Sequence, residues 1–166
     1  MHMKYLALFI LLLASLPVSA QLTVSDKCGT ILVDILDGKI NGMRPNRAHE
    51  ELAEKLPCFT SQVTAKDSAA CGPALYFKDK DFVIYTDRDY VEIGPAFKGN
   101  MSVPLLGAKK GSLFSQLGNP KMKDGNWEAY QTSYGLLILY YSNSATVNRI
   151  QFSTRTAETI SLCQGK

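Results

Sequence analysis

The sequence predicts an α+β fold in which two tandem helix-plus-antiparallel-meander repeats place their helices on one face of a curved antiparallel sheet. Three observations lead to this prediction. The 166 residues are 46% hydrophobic and 20% charged, as is typical of a globular domain with one core. Two amphipathic helical segments are each followed by short runs rich in Tyr, Phe, Val and Ile. Four cysteines lie beyond a predicted export signal.

Residues 1–20 have the pattern of a secretory signal peptide. Lys4 supplies the positive charge, residues 6–16 are apolar, and small residues before Gln21 form a cleavage site. The apolar run is shorter than the roughly 20 residues that a membrane-spanning helix needs. We therefore expect cleavage after Ala20 and a single exported domain over residues 21–166, periplasmic or secreted and without an integral membrane span. An uncleaved helix in the membrane is the alternative.

The cysteines predict two disulfides, because an even number in an exported chain is typical of a cross-linked domain. Cys28, Cys58, Cys71 and Cys163 allow three connectivities. We favour Cys58–Cys71, which closes a local loop, and Cys28–Cys163, which ties the first strand to the last. A zinc site is the alternative, but the chain has no Cys-x-x-Cys pair. No metal and no cofactor are therefore predicted.

The first half predicts a strand, a helix and a meander. A β-branched strand over residues 30–36 ends at an Asp-Gly turn. Asn46 is the predicted N-cap of an amphipathic helix over residues 47–56, which Pro57 ends. The small and polar residues 59–72 predict a loop. Strands are then predicted at residues 74–78, 82–86 and 90–93.

The second half repeats this order. Ser112 is the predicted cap of a short helix that ends at Leu117 before Gly-Asn-Pro. Strands are predicted at residues 127–133, 136–141 and 146–153, with a last strand at 159–162. The repeat-like halves cover about residues 28–98 and 99–163. A chance likeness between two short patterns is the alternative.

Two matching segments support the internal repeat. Ile-Asn-Gly at residues 40–42 and Leu-Leu-Gly at residues 105–107 each precede a basic loop and then a helix. Arg44 and Arg47 supply the charge of the first loop, and Lys109 and Lys110 that of the second. Such loops can bind an acidic group near a helix N-terminus, or can simply keep the protein soluble.

Residues of the second half resemble a known family. The helix ending in Leu-Gly-Asn-Pro is followed by Trp127, Tyr130 and Gly135, and by a strand that ends in Tyr140 and Tyr141. This pattern resembles the helix-plus-meander unit of the SmpA/OmlA (BamE-like) domains and of the tandem-repeat β-lactamase inhibitor proteins. The resemblance implies an exported, non-catalytic protein that binds other proteins through the exposed face of its sheet. The chain departs from it in lacking a lipobox and in its cysteine positions.

The candidate catalytic residues are few. His49 is the only histidine after the signal, and it lies on the amphipathic helix without a nucleophile motif nearby, so we expect a surface role. Asp34, Glu92 and Glu128 lie in or beside strands and could pair in a hydrolase that acts on cell-envelope polymers or polysaccharides. The aspartates between residues 79 and 89 alternate with Lys and Arg, which favours solvated turns over a calcium site.

Aromatic residues concentrate in the strands and give the functional prediction. Tyr and Trp favour protein interfaces because they bury a large area with few rotatable bonds. We predict an exported non-catalytic protein-binding module, such as an inhibitor, an immunity-type protein or an envelope assembly factor. The alternatives are the hydrolase and a small apolar ligand held between helix and sheet. The predicted binding residues are Trp127, Tyr130, Tyr140, Tyr85, Arg44 and Lys109. A net charge of +3 argues against a nucleic-acid partner. Oligomeric state is not predicted.

Overall fold

A computed structural model describes residues 28–67 and 69–163 of the chain. The predicted signal peptide over residues 1–20 lies outside the described residues. The described part is an α+β fold that is mostly sheet, as the sequence predicts, with an eight-stranded sheet, a three-stranded sheet and two short helices. Among the described residues no helix is long and apolar enough to cross a membrane.

The helices and strands of the described residues have the following bounds in chain order. They are β1 Ile31–Asp34, β2 Lys39–Ile40, α1 His49–Lys55, β3 Ser61–Val63, β4 Ala74–Phe77, β5 Phe82–Tyr85, β6 Tyr90–Ile93, β7 Gly99–Met101, α2 Phe114–Leu117, β8 Met122–Asp124, β9 Trp127–Gln131, β10 Leu136–Tyr141 and β11 Val147–Ser153. The small sheet has the order β2-β1-β7, with β1 and β7 parallel. The large sheet is antiparallel throughout and has the order β3-β4-β5-β6-β11-β10-β9-β8.

The two meanders meet at the pairing of β6 with β11. Ile93 lies opposite Ile150 and Val91 opposite Phe152, and all four side chains are fully buried on the same face. The sheet therefore has one continuous core face, which we call the core face. Leu52 of α1 and Leu56 after it are also fully buried in this core.

The side chains on both faces of strand β10 are apolar because both faces are covered. Leu137 and Leu139 belong to the main core. Leu136 and Ile138 point to the opposite face, where they pack with Ala129 into a second, smaller apolar cluster. A strand covered on both sides shows no polar alternation, which accounts for the sequence Leu-Leu-Ile-Leu.

The helices begin later than the sequence predicts. Helix α1 begins at His49 with Ala48 as its N-cap residue, and the predicted cap Asn46 lies in the preceding turn. Helix α2 begins at Phe114, because the hydroxyl of Ser112 donates to the carbonyl of Lys109 instead of capping the helix. Neither N-cap residue provides a side-chain hydrogen bond.

Three strands were not predicted. Strands β3, β7 and β8 have three residues each and polar sequences, so their pairing depends on neighbouring strands and not on their own composition. The predicted loop over residues 59–72 therefore contains β3. The predicted last strand at 159–162 is absent, because this segment crosses the sheet instead of pairing with it.

The predicted disulfide connectivity is wrong. The bridges are Cys28–Cys58 and Cys71–Cys163, with Cα–Cα distances of 5.6 and 5.3 Å. The β3–β4 hairpin explains why Cys58 does not reach Cys71. Its register pairs Ser61 with Tyr76, which places the two cysteines at opposite ends of the hairpin.

Gly38 gives a test of how the small sheet packs on the large one. It has a φ of +62°, and a Cβ built on it would overlap the ring of Tyr134. We expect Gly38→Ala to destabilise the protein by about 2–4 kcal/mol, through backbone strain and overpacking together. The free energy of unfolding, from denaturant titration, is the measurement.

Gly42 is the matched control. It has a φ of +79° but nothing within 4 Å of a built Cβ, so Gly42→Ala adds backbone strain alone and costs about 1–2 kcal/mol. Equal losses in the two variants would contradict the close packing of Tyr134 on the β1–β2 turn.

Candidate functional site

The large sheet has an outer face, opposite the core face, and this is the candidate site. One cross-strand row runs through all eight strands in register, and its members are Ser61, Tyr76, Val83, Glu92, Gln151, Ile138, Ala129 and Met122. Because side chains alternate along a strand, residues two positions away point to the same face. This adds Tyr85, Tyr90, Arg149, Tyr140 and Trp127 to the outer face.

The chain beyond β11 covers one end of this face. We call residues 154–163 the strap. Its side chains Ala157, Ile160 and Leu162 pack on the second apolar cluster of β9 and β10. The strap ends at the disulfide between Cys163 and Cys71. The strap therefore covers the second apolar cluster.

Polar contacts hold the end of the strap in place. The guanidinium of Arg88 donates to the carbonyl of Ser161 at 3.1 Å and, through Nε, to the carbonyl of Cys71 at 2.9 Å. The backbone N–H of Cys163 donates to the hydroxyl of Tyr90 at 2.9 Å. Burial raises the pKa of this Tyr90 hydroxyl. The strap end thus fills the outer face around Tyr90.

Three of the four predicted aromatic binding residues lie on the outer face. Tyr85, Tyr140 and Trp127 are half-buried there, and the ring of Tyr76 makes an edge contact with Tyr85 at 6.4 Å. The predicted binding role of Tyr130 is corrected by its position. It pairs with Leu137 on the core face and is 4% exposed, so it cannot contact a partner.

The predicted basic residues lie elsewhere. Arg44 and Lys109 are exposed in the loops that precede α1 and α2, outside the strands of the large sheet. Lys110, the neighbour of Lys109, instead reaches the core side, with its Nζ 5.0 Å from the ring centroid of Tyr141. The structure does not bring the predicted basic and aromatic residues into one site.

The three candidate catalytic carboxylates are separated by the fold. Glu92 lies on the outer face, where the side chain of Gln151 donates to it. Glu128 pairs with Leu139 and points to the core face. Asp34 belongs to β1 of the small sheet, and its carboxylate accepts from Ser102 at 3.2 Å. The fold does not bring these three groups to a shared cleft.

Glu128 is the centre of a buried polar network. Its Oε2 accepts from the hydroxyls of Tyr130 at 2.8 Å and Tyr141 at 2.6 Å, and Lys110 Nζ lies 3.9 Å from Oε1. Burial, together with the hydrogen bond to Glu128, raises the pKa of Tyr130 to about 12. The same two causes raise the pKa of Tyr141. The carboxylate is occupied by hydrogen bonds and serves the packing of β9 against β10.

The side chain of His49 connects helix α1 to neighbouring elements. Its Nδ1 lies 3.1 Å from Thr86 Oγ1 and its Nε2 lies 3.3 Å from Gln62 Oε1. The ring therefore links α1 to β3 and to the 3₁₀ turn Thr86–Arg88. These partners contribute no nucleophile that the imidazole could activate, apart from a Thr86 hydroxyl that is itself buried and bonded to Pro73.

The aspartates of the two charged turns bind protein groups. Asp81 accepts from the backbone N–H of Ala96 at 2.7 Å, and Asp89 pairs with Arg155 at 2.7 Å. Within the described residues no group of three or more His, Cys, Asp or Glu side chains could hold a metal ion. Asp89 instead anchors the beginning of the strap.

Two residues of the outer face were not predicted from the sequence. Arg149 stacks on the ring of Tyr140, with its guanidinium carbon 3.9 Å from the centroid, and Gln151 is 2% exposed beside it. Their alternation with Ile150 and Phe152 along β11 was the signal that could have placed them on one face. No family model, curated protein or solved structure matches the chain.

The strap can be tested by removing its disulfide. In the Cys71→Ser/Cys163→Ser variant we expect hydrogen exchange of residues 154–163 to become at least about tenfold faster, because a cross-link typically contributes 2–4 kcal/mol. Hydrogen exchange followed by mass spectrometry measures this directly. The control is Cys28→Ser/Cys58→Ser, which removes the bridge that packs against the main core, whereas the strap packs on the second cluster. Unchanged exchange of the strap in the first variant would show that the disulfide does not hold it.

The Glu128 network can be tested by truncation. Glu128→Ala leaves two buried hydroxyls without their acceptor and should cost about 2–4 kcal/mol of unfolding free energy. Glu128→Gln keeps an acceptor oxygen and should cost less. Glu158, which pairs with Lys121 on the surface, is the control, and Glu158→Ala should leave stability unchanged. A Glu128→Ala variant as stable as the control would contradict a structural role for this carboxylate.

Proposed function

We propose that this protein is an exported, non-catalytic binding module that captures another protein on the open part of its outer face. The observation that carries the proposal is the set of half-buried aromatic rings there, beside an end that the strap already covers. The rings belong to Tyr76, Tyr85, Tyr140 and Trp127. An inhibitor, an immunity-type protein or an envelope assembly factor would each use such a face.

The rings favour binding because they are held in place before any partner arrives. Tyr85 stacks on the buried Tyr90 at 4.6 Å, and Tyr140 donates to Gln151 at 2.8 Å. A rigid aromatic side chain loses little conformational entropy on association. Half-buried rings on a sheet can therefore contribute a large share of the binding energy.

Export is supported by the covalent chemistry. Both disulfides are typical of proteins in oxidising compartments. Together with the signal pattern of residues 1–20, they support cleavage after Ala20 and a periplasmic or secreted location.

Local structure supports the proposed tandem repeat. Residues 40–43 and 105–108 each form a four-residue turn, closed by N–H to carbonyl distances of 2.9 and 3.0 Å. Gly42 and Gly107, at the third position of these turns, both have a φ of +79°. Each turn is followed by a helix and four strands, and the two meanders pair through their last strands. This order is compatible with two copies of one unit and with the proposed likeness to the BamE-like domains and β-lactamase inhibitor proteins.

The separation of the carboxylates favours binding over hydrolysis. Glu92 and Glu128 point to opposite faces of one sheet, whereas a glycosidase needs two carboxyl groups across one cleft. A small apolar ligand between helix and sheet gains no support, because Leu52 and Leu56 are fully buried in that space. We therefore propose a role without catalysis.

The proposal predicts that Trp127→Ala loses partner capture. Immobilised protein with intact disulfides is incubated with the exported fraction of its source, and captured proteins are quantified by mass spectrometry. At least one protein held by the wild type should fall by about tenfold or more, because truncation of a central aromatic residue typically costs 2 kcal/mol or more.

Leu36→Ser is the matched control. Leu36 is 54% exposed in the β1–β2 turn and lies outside the outer face, so its replacement removes exposed apolar surface away from the proposed site. Capture should be the same as for the wild type. If Trp127→Ala and Leu36→Ser retain identical sets of proteins while both remain folded, the outer face is not the binding site.

A further inference from the structure

Arg149 is a partly buried cation without a protein acceptor. Its guanidinium lies over the ring of Tyr140, and within the described part of the chain it donates no hydrogen bond and forms no ion pair. A guanidinium carries five N–H donors, and leaving them unpaired while partly removed from water costs free energy. By contrast, Arg88 and Arg155 each bond to carbonyl or carboxylate oxygens.

A hydrogen-bond chain holds the tyrosine ring on which this guanidinium lies. The hydroxyl of Tyr140 donates to Oε1 of Gln151 at 2.8 Å, and Nε2 of Gln151 donates to the carboxylate of Glu92. Because Gln151 is almost fully buried, it holds the Tyr140 ring in one position. The guanidinium lies over this ring, with its carbon 3.9 Å from the centroid.

No carboxylate of the described residues forms an ion pair with Arg149. A surface concavity of about 300 Å³ is lined by Pro95, Asn126, Asn148, Arg149 and the two tyrosines at 140 and 141. Asn126 and Asn148 are exposed and present side-chain amides. The carboxylates on the same face have other partners. That of Glu92 accepts from Gln151, that of Asp81 from the backbone N–H of Ala96, and that of Asp124 from the backbone N–H of Gly125.

A positively charged fork beside two amides suits a carboxylate. Guanidinium and carboxylate form paired, charge-assisted hydrogen bonds in one plane, a geometry that an ammonium group does not reproduce. Trp127, directly opposite Tyr140 in the register, adds an aromatic wall next to the concavity. Charge and shape therefore both favour an acidic group.

We propose that Arg149, with the amides of Asn126 and Asn148, forms a receptor for an Asp or Glu side chain of the protein partner. This inference rests on the proposed function and specifies the chemistry of the partner at that same face. An acidic residue flanked by apolar side chains would place its carboxylate on Arg149 and its neighbours on Trp127.

A displayed random peptide library provides the probe. Peptides fused at both ends, so that no free terminal carboxylate is present, are selected on the wild-type protein. Those that also bind Trp127→Ala are discarded, which leaves sequences that need the outer face. We expect these to be enriched in Asp and Glu over the starting library, and selection on Arg149→Gln should lose that enrichment.

The affinity of one selected peptide for the wild-type protein and its variants then measures the contribution of Arg149. Arg149→Gln should weaken it by about tenfold to a hundredfold, as expected for a charge-assisted hydrogen bond. Arg149→Lys should recover only part of this loss, because it keeps the charge without the planar fork. Replacing the acidic residue of the peptide by its amide should weaken binding to the wild type equally, and this arm needs no protein variant.

Two failures are distinguishable. Peptides that need Trp127 but show no acidic preference, or that bind Arg149→Gln as tightly as the wild type, would overturn the carboxylate receptor and leave the proposed function standing. If no selected peptide depends on Trp127, the binding face itself is wrong and the receptor is wrong with it.

Discussion

The pairing of β6 with β11 is the constraint on which the rest of the structure depends. It joins the two meanders, and its register places Ile93 and Ile150 in the core while Glu92 and Gln151 face outward. A slip of one residue would exchange these faces. The hydrogen-bond chain from Glu92 through Gln151 to Tyr140 depends on this register.

The strap covers apolar side chains that the sheet alone would leave exposed to solvent. Apolar side chains of β9 and β10 on the outer face need cover, and Ile160 and Leu162 provide it. Tying Cys163 to Cys71 brings the chain end back toward β5, so the cover is limited to one end of the face. The sheet is thereby divided into a closed end and an open end that carries Tyr140 and Trp127. The proposed binding and the stability of the sheet would therefore use different parts of one surface.

Much of the fold could be predicted because several segments carry strong local patterns. Strand β6 was predicted at its observed bounds, as was β10, and the buried face of α1 follows from its apolar spacing. The short polar strands carry no such pattern and form only where a neighbour pairs with them. The disulfide connectivity could not be predicted without β3, because the β3–β4 hairpin places Cys58 and Cys71 at opposite ends.

The candidate site was predictable only in part because composition does not determine the face of a strand. Tyr130 and Tyr140 appear equivalent in the sequence, yet the register of β9 with β10 places them on opposite faces. Arg149 was missed because its role depends on Tyr140 across the strand pair. Such cross-strand contacts become visible only once the register is known.

Site-specific photo-crosslinking in the native compartment tests the binding face most directly. A photoreactive amino acid is placed in turn at Tyr76 and Trp127 on the outer face, and at Leu32 and Leu36 on the small sheet, where both leucines are exposed. The account predicts adducts with a common protein from the first two positions and none from the leucines. Adducts from the leucine positions alone would contradict it.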